Sequence, residues 1–397
     1  MKKWVKLISY NFFFLIIFFE LISSLFFRKT IQNNFFREYQ NFNFHKFGRG
    51  YPKNYFSKND QNGFDITVNS QKKDFYTYTD IPKTKIWGNN IGCFDSDFKL
   101  NDKTFIYLAG DSFSWGYTHK ELHFGTLLKS KNNNIASCGV SHTGQIHQFN
   151  KFKKIREKLN ASPEIVIVNV FTNDIYNDHF HPHTTIINGY MVDKKRIKYK
   201  NQQIKIVEAS DELLSENFIK SKNTNKREFI GIAPQAKLGK FDPRKYSSTM
   251  VFLGVFIKNI ILNPNEKIYE MNEEELSSIY SPEEYYGLKN QKNYPINHKL
   301  GEKNREIIKN WISDSKENNY KLIFSFINHM LYYDDEDFCK FIEDLDSNCH
   351  YFSKYLTKID IDPEKLKWKR DSHFNNLGNK VYADYLREII NKISFNI

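Results

Sequence analysis

The chain is poor in the residues that build metal and disulfide frameworks. Its 397 residues hold four cysteines, Cys93, Cys138, Cys339 and Cys349, and no Cys-x-x-Cys pair. A zinc ribbon is therefore excluded. In an oxidising compartment Cys339 and Cys349 could bridge, and buried free thiols are the equal alternative, because spacing alone does not supply disulfide geometry. No internal repeat is present, so no repeat architecture is indicated. Alanine is scarce while Phe, Tyr, Lys, Asn and Ile are abundant, a bias of composition rather than of function. Nucleic-acid-binding motifs are also absent. The 58 Lys and Arg exceed the 46 Asp and Glu, but they are scattered and form no basic stripe. A solvated basic surface on a membrane-side protein accounts for the net charge of +12.

Hydrophobic residues make up 40% of the chain, enough for a real core. The longest apolar stretch runs from Trp4 to Phe27, with Lys2, Lys3 and Lys6 at its start. As a helix it would be about 36 Å long, sufficient for a hydrocarbon core of about 30 Å. Asn11 and Glu20 interrupt it. A cleaved signal peptide would end in a small-x-small site, whereas Leu25-Phe26-Phe27-Arg28-Lys29 follows here. An uncleaved single-pass anchor over residues 1–30 is expected, with the body outside the cytoplasm, periplasmic or extracellular. Met250 to Leu262 is also apolar but too short to span a bilayer. A buried element is the first reading there, and contact with membrane or partner the second.

Residues 31–100 read as a stalk followed by short strands. An α/β rhythm then begins. Phe105–Ala109, Ile135–Val140 and Ile165–Val170 are short apolar runs expected to form buried strands, the last apolar on both faces as a parallel sheet requires. Between them, Ile146, Phe149, Phe152, Ile155 and Leu159 recur at helical spacing over 145–159. The rhythm breaks in a Lys- and Asn-rich insertion at about 178–300. It resumes with a helix over 304–317, a strand over 322–327, and helices over 335–345 and 380–393. Alternating strands and helices imply a parallel sheet covered on both faces, with its site at the carboxyl ends of the strands.

Three polar turns fall at such ends. Gly110-Asp111-Ser112 follows the first strand, Thr172-Asn173-Asp174 follows the third, and Asp371-Ser372-His373 precedes the last helix. Serine is a weak nucleophile until a base takes its proton and donors receive the oxyanion. His373 is the base expected for Ser112, Asp371 the group that orients it, and Asn173 a side-chain oxyanion donor. Asp111 is expected to brace the turn around Ser112. These blocks, in this order, resemble the SGNH/GDSL hydrolase superfamily. Asn90-Ile91-Gly92-Cys93-Phe94-Asp95 is similar to the lead-in of its membrane-anchored bacterial members.

The resemblance covers about Asn90 to the C-terminus outside the insertion. It implies a three-layer α/β/α sandwich of flavodoxin-like topology over 101–397, without metal or other cofactor. It further implies a serine esterase acting on O-acyl, chiefly O-acetyl, groups of a cell-envelope carbohydrate. Acyl transfer to a glycan and a catalytically weak assembly or binding role are the alternatives. One block departs from the family pattern: His142 stands where the last glycine of an Asn-x-Gly-x-x-Gly turn belongs. Its N–H serves as an oxyanion donor provided the turn does not demand a positive φ. His179, His181 and His183 would share one face of an extended segment, but a polar rim to the site is preferred over a metal grip there.

Overall fold

The computed structural model describes residues 10–11, 14–15, 17–22, 51–75, 81–200, 203–208, 210–212, 214–215, 296–297, 301–327, 336–368 and 373–394. Much of the expected anchor, residues 31–50 and 76–80 of the expected stalk and lead-in, the 250–262 apolar run and Asp371 lie outside them. The chain divides into two compact units, residues 1–46 with 235–272, and residues 47–234 with 273–397. In the first, the described residues between 10 and 22 are helical, and Tyr10, Phe14, Leu15, Ile17, Phe18, Phe19 and Leu21 stand exposed. Among the described residues no helix is long and apolar enough to cross a membrane.

The second unit is an α/β fold on a five-stranded sheet. Its strands, labelled along the chain, are β1 (Thr104–Gly110), β2 (Asn133–Ser137), β3 (Ile165–Val170), β4 (Lys321–Phe326) and β5 (Asn348–Tyr351). They lie in the order 2-1-3-4-5, and every neighbouring pair is parallel. β1 and β3 are adjacent although β2 lies between them in sequence. The chain therefore leaves β1 towards one edge and returns to build the other. Such a reversal opens a crevice outside the carboxyl ends of the two strands.

The alternating side chains of these strands feed two cores. Tyr107, Val166, Val168, Leu322 and Phe324 face one side, against α3 (Gln145–Leu159), α5 (Glu302–Glu317) and α6 (Glu336–Glu343). There Trp311 is fully buried, its ring 4.8 Å from Phe149 and 5.0 Å from Phe152. Ile106, Leu108, Ile165, Ile167 and Ile323 face the other side, against α7 (Phe352–Lys358) and α8 (Asn376–Ser394). Helices thus cover both faces, as strands without a polar side require. A polar chain crosses the second core: Asn169 donates to Ala109 O, Tyr382 OH donates to Asn169, and Ser325 pairs with Tyr382 OH at 2.5 Å.

The described residues of 51–100 form a third core over the loops at the strand ends. Two antiparallel hairpins, Phe56–Asn59 with Gly63–Ile66 and Lys73–Phe75 with Thr84–Ile86, pack Tyr55, Phe64, Phe75 and Ile86 against Trp115, Tyr117 and Val140. A buried ion pair joins Asp65 to Lys151 of α3, and Lys151 also donates to Gly92 O. Asp95, equally buried, meets Lys120 at 3.6 Å and Lys129 at 2.8 Å. All four cysteines are bridged. Cys339–Cys349 joins α6 to β5, and Cys93–Cys138, a pairing not anticipated from spacing, joins the lead-in to the exit of β2.

Candidate functional site

β1 ends at Gly110, whose φ of +149° and surroundings exclude a side chain. A Cβ there would sit 2.0 Å from Ser114 Oγ and 3.0 Å from Asn169 O. The chain then turns into the one-turn helix α1 (Ser112–Trp115), capped by Asp111, which accepts the Phe113 N–H at 2.9 Å. This turn places Ser112 at the carboxyl end of β1, 7% exposed. Gly139, at the exit of β2, passes so close that a Cβ would lie 2.2 Å from Ser114 C.

His373 reaches this point from the other end of the chain. Its Nε2 lies 2.7 Å from Ser112 Oγ, across a separation of 261 residues. The segment carrying it is braced independently. Trp368 N donates to His373 O, Asn375 N donates to Leu366 O, and Lys367 and Phe374 form an antiparallel bridge. The imidazole packs on two rings, Tyr117 at 4.2 Å and Phe113 at 4.7 Å between centroids. With the proton on Nδ1, Nε2 accepts from the serine hydroxyl, the pairing that activates a nucleophile. Asp371, the expected orienting carboxylate, lies outside the described residues.

Asp111 gathers the remaining groups. Besides accepting the Phe113 N–H, its carboxylate lies 3.3 Å from Ser112 Oγ, the alternative acceptor to His373 Nε2 for that hydroxyl's one proton, and is close to the Asn173 side chain. Burial pushes its pKa up, and the Phe113 N–H, the nearby His373 and the Asn173 amide partly offset that. Asn173 therefore lies near Asp111, just before α4 (Asp174–His179). Its side-chain amide carries two N–H donors, the kind of group an oxyanion requires.

The turn after β2 does demand the left-handed conformation: His142 has φ +63°. Histidine is among the few residues besides glycine that enter this region with any frequency, at an energetic disadvantage. Its surroundings hold it there. Thr143 Oγ1 donates to Val140 O at 2.6 Å, Asn177 donates to Thr143 O at 3.0 Å, and Asp178 accepts the Ile146 N–H at 2.9 Å. Asp178 also accepts from Asn304, and burial raises its pKa to about 7. Asp174, accepting from Gln145 and Gln148, is pushed well above the carboxylate range by burial and then by the charges of Asp111 and Asp178. Sequence reasoning overlooked Asp178 and Asn169. Asn169 had a legible signal, a single amide inside a run of β-branched residues.

His179 ends α4, and His181 and His183 follow it. Among the described residues no three His, Cys, Asp or Glu side chains converge to hold a metal ion. Two cavities described elsewhere, of about 450 and 280 Å³, open around Tyr320 and Ile393 and around Tyr351 and Tyr385. Neither includes Ser112 or His373. No protein-family model matches the chain, and no curated protein matches it.

Proposed function

We propose that the chain is a serine esterase of the SGNH/GDSL type, with a flavodoxin-like catalytic domain, acting on O-acyl groups of a cell-envelope carbohydrate. The observation that carries this reading is the 2.7 Å pairing of Ser112 Oγ with His373 Nε2 beside the β1/β3 reversal. In the first half-reaction His373 takes the Ser112 proton while Oγ attacks the ester carbonyl. The oxyanion rests on the N–H groups of Ser112 and His142 and on the Asn173 amide. His373 then returns its proton to the departing sugar oxygen, leaving an acyl-serine. Water, activated by the same imidazole, releases the acid and restores the serine. Asp371 holds the imidazole tautomer.

Two observations support a membrane-anchored chain with its body outside the cytoplasm. Both cysteine pairs are bridged, which fits an oxidising compartment. The exposed apolar side chains of the described helical residues between 10 and 22 fit burial in lipid. An O-acetyl substrate comes by analogy with the family. The test is a fluorophosphonate probe, which labels only an activated serine, applied to the full chain in detergent. Labelling at Ser112, and acetate release from an acetylated glycan, are expected. A wild-type chain that takes no label would end the proposal, and acyl transfer onto an added sugar acceptor would redirect it to a transferase.

A further inference from the structure

The mouth of the sheet holds three buried hydroxyls that the chemistry above does not use. Tyr51 OH donates to Ser141 Oγ at 2.5 Å. Tyr51 and Tyr117 hydroxyls stand 3.0 Å apart, and Tyr117 OH and Ser141 Oγ 3.3 Å. Each hydroxyl has one proton to give. With Tyr51 donating to Ser141, the other two contacts are satisfied when Ser141 donates to Tyr117 and Tyr117 to Tyr51. In these three contacts each group then donates once and accepts once, which ties the three hydroxyls into one unit.

Tyr117 also touches the base. Its ring lies on the His373 imidazole, and its carbonyl accepts the Trp368 indole N–H at 3.1 Å. Trp368 in turn donates its backbone N–H to His373 O at 3.1 Å. On the other side Ser141 directly precedes His142, whose ring meets Tyr51 edge-on at 6.1 Å between centroids. We propose that Tyr117 is a positioning residue that sets the His142 turn against the Ser112–His373 pair, its ring fixing the imidazole and its hydroxyl fixing the turn through Ser141 and Tyr51. This role rests on the esterase reading of the site. A backbone held at positive φ by a non-glycine residue relaxes when its bracing is removed. The hydroxyl ring braces it at the residue before the expected oxyanion donor.

The full chain in detergent serves for the test, with p-nitrophenyl acetate turnover and fluorophosphonate labelling as readouts. Tyr117→Phe keeps the ring on His373 and removes the hydroxyl; Ser141→Ala removes its partner. Each should slow kcat and labelling roughly 10- to 100-fold, as a small misplacement of reacting groups does, with KM within about twofold. The double variant should be no slower than the slower single one, because the hydroxyls act as a unit. Tyr117→Phe reacting at the wild-type rate, or losses that multiply, would overturn the role. If Tyr117→Phe does not fold, Tyr51→Phe and Ser141→Ala make the same comparison. If the wild-type chain takes no label, the esterase reading fails on its own. The His142 backbone amide resonance, read with ¹⁵N-histidine, then still decides: it should move in Tyr117→Phe or Tyr51→Phe, and an unmoved resonance ends the proposal.

Discussion

The same sheet is built in two ways at its two sides. Where β1 and β3 part, the strand ends hold Asp111, Asp174, Asp178, Asn169, Gln145 and Gln148, nearly all excluded from solvent and hydrogen-bonded to one another or to backbone. At the β4–β5 edge the charged groups around the open cavity include surface lysines and glutamates, such as Lys358 and Lys392 on Glu388. Burying charge is unfavourable unless geometry compensates it. A region that carries that burden at several positions is one whose geometry matters. Cavity volume points to the edge; converging buried polar groups point to the reversal, where the chain also meets itself across 261 residues.

The comparison breaks first at the proposed nucleophile. Ser112→Ala and His373→Ala should each reduce ester turnover by about 10⁴-fold or more, and the double variant no further, since the pair acts as one device. A Ser112→Ala chain hydrolysing an acetyl ester at the wild-type rate would leave the buried network without a catalytic purpose. The disulfides sharpen the contrast through stability. On a loop-entropy basis, opening Cys93–Cys138, separated by 45 residues, should lower unfolding free energy by about 4 kcal/mol, and opening Cys339–Cys349, separated by 10, by about 3 kcal/mol. Urea unfolding of the two serine double variants measures this. Only the first should also depress activity, because Cys138 leads directly into the His142 turn.

Asn173→Ala should lower kcat by roughly 10²–10³ with little change in KM, the usual loss for one oxyanion donor. A change confined to KM would make Asn173 a binding group instead. Asp178 offers a pH test. Its folded pKa, near 7, lies above the ordinary 3.8, so its contribution to stability is complete below about pH 3.8 and is lost as pH rises through 7. The wild-type chain should therefore gain stability between pH 8 and pH 6. Asp178→Asn should show a smaller gain, with Asp111 and Asp174, also raised by burial, supplying the remainder. Equal gains in the two proteins would place the strained charge elsewhere. At the other side, Glu388→Ala removes two exposed ion pairs and should cost no more than about 1 kcal/mol, with turnover unchanged within about twofold. A large loss of activity there would erase the distinction between the two regions.

Much of the fold is legible in the chain. The helix expected over 145–159 spans those residues, and the all-apolar run at 165–170 is the central strand β3. Their periods are local properties, set by which residues repeat. β5 and α7 are not legible. Asn348–Tyr351 is a half-exposed edge strand of four residues with no apolar run, and it becomes a strand because β4 offers it hydrogen bonds. The Cys93–Cys138 bridge is hidden for a related reason, since the lead-in must first pack over the β2 exit.

The sequence by itself determined that an α/β rhythm exists, and that a serine, an amide and a histidine stand at three element ends, because these follow from local order along the chain. Only the tertiary structure decided that Ser112 and His373 meet, because strand order is a long-range choice. It also decided that His142 takes a conformation suited to glycine, because that depends on the Thr143, Asn177 and Asp178 hydrogen bonds around it. No residue can record alone a backbone angle that its neighbours impose.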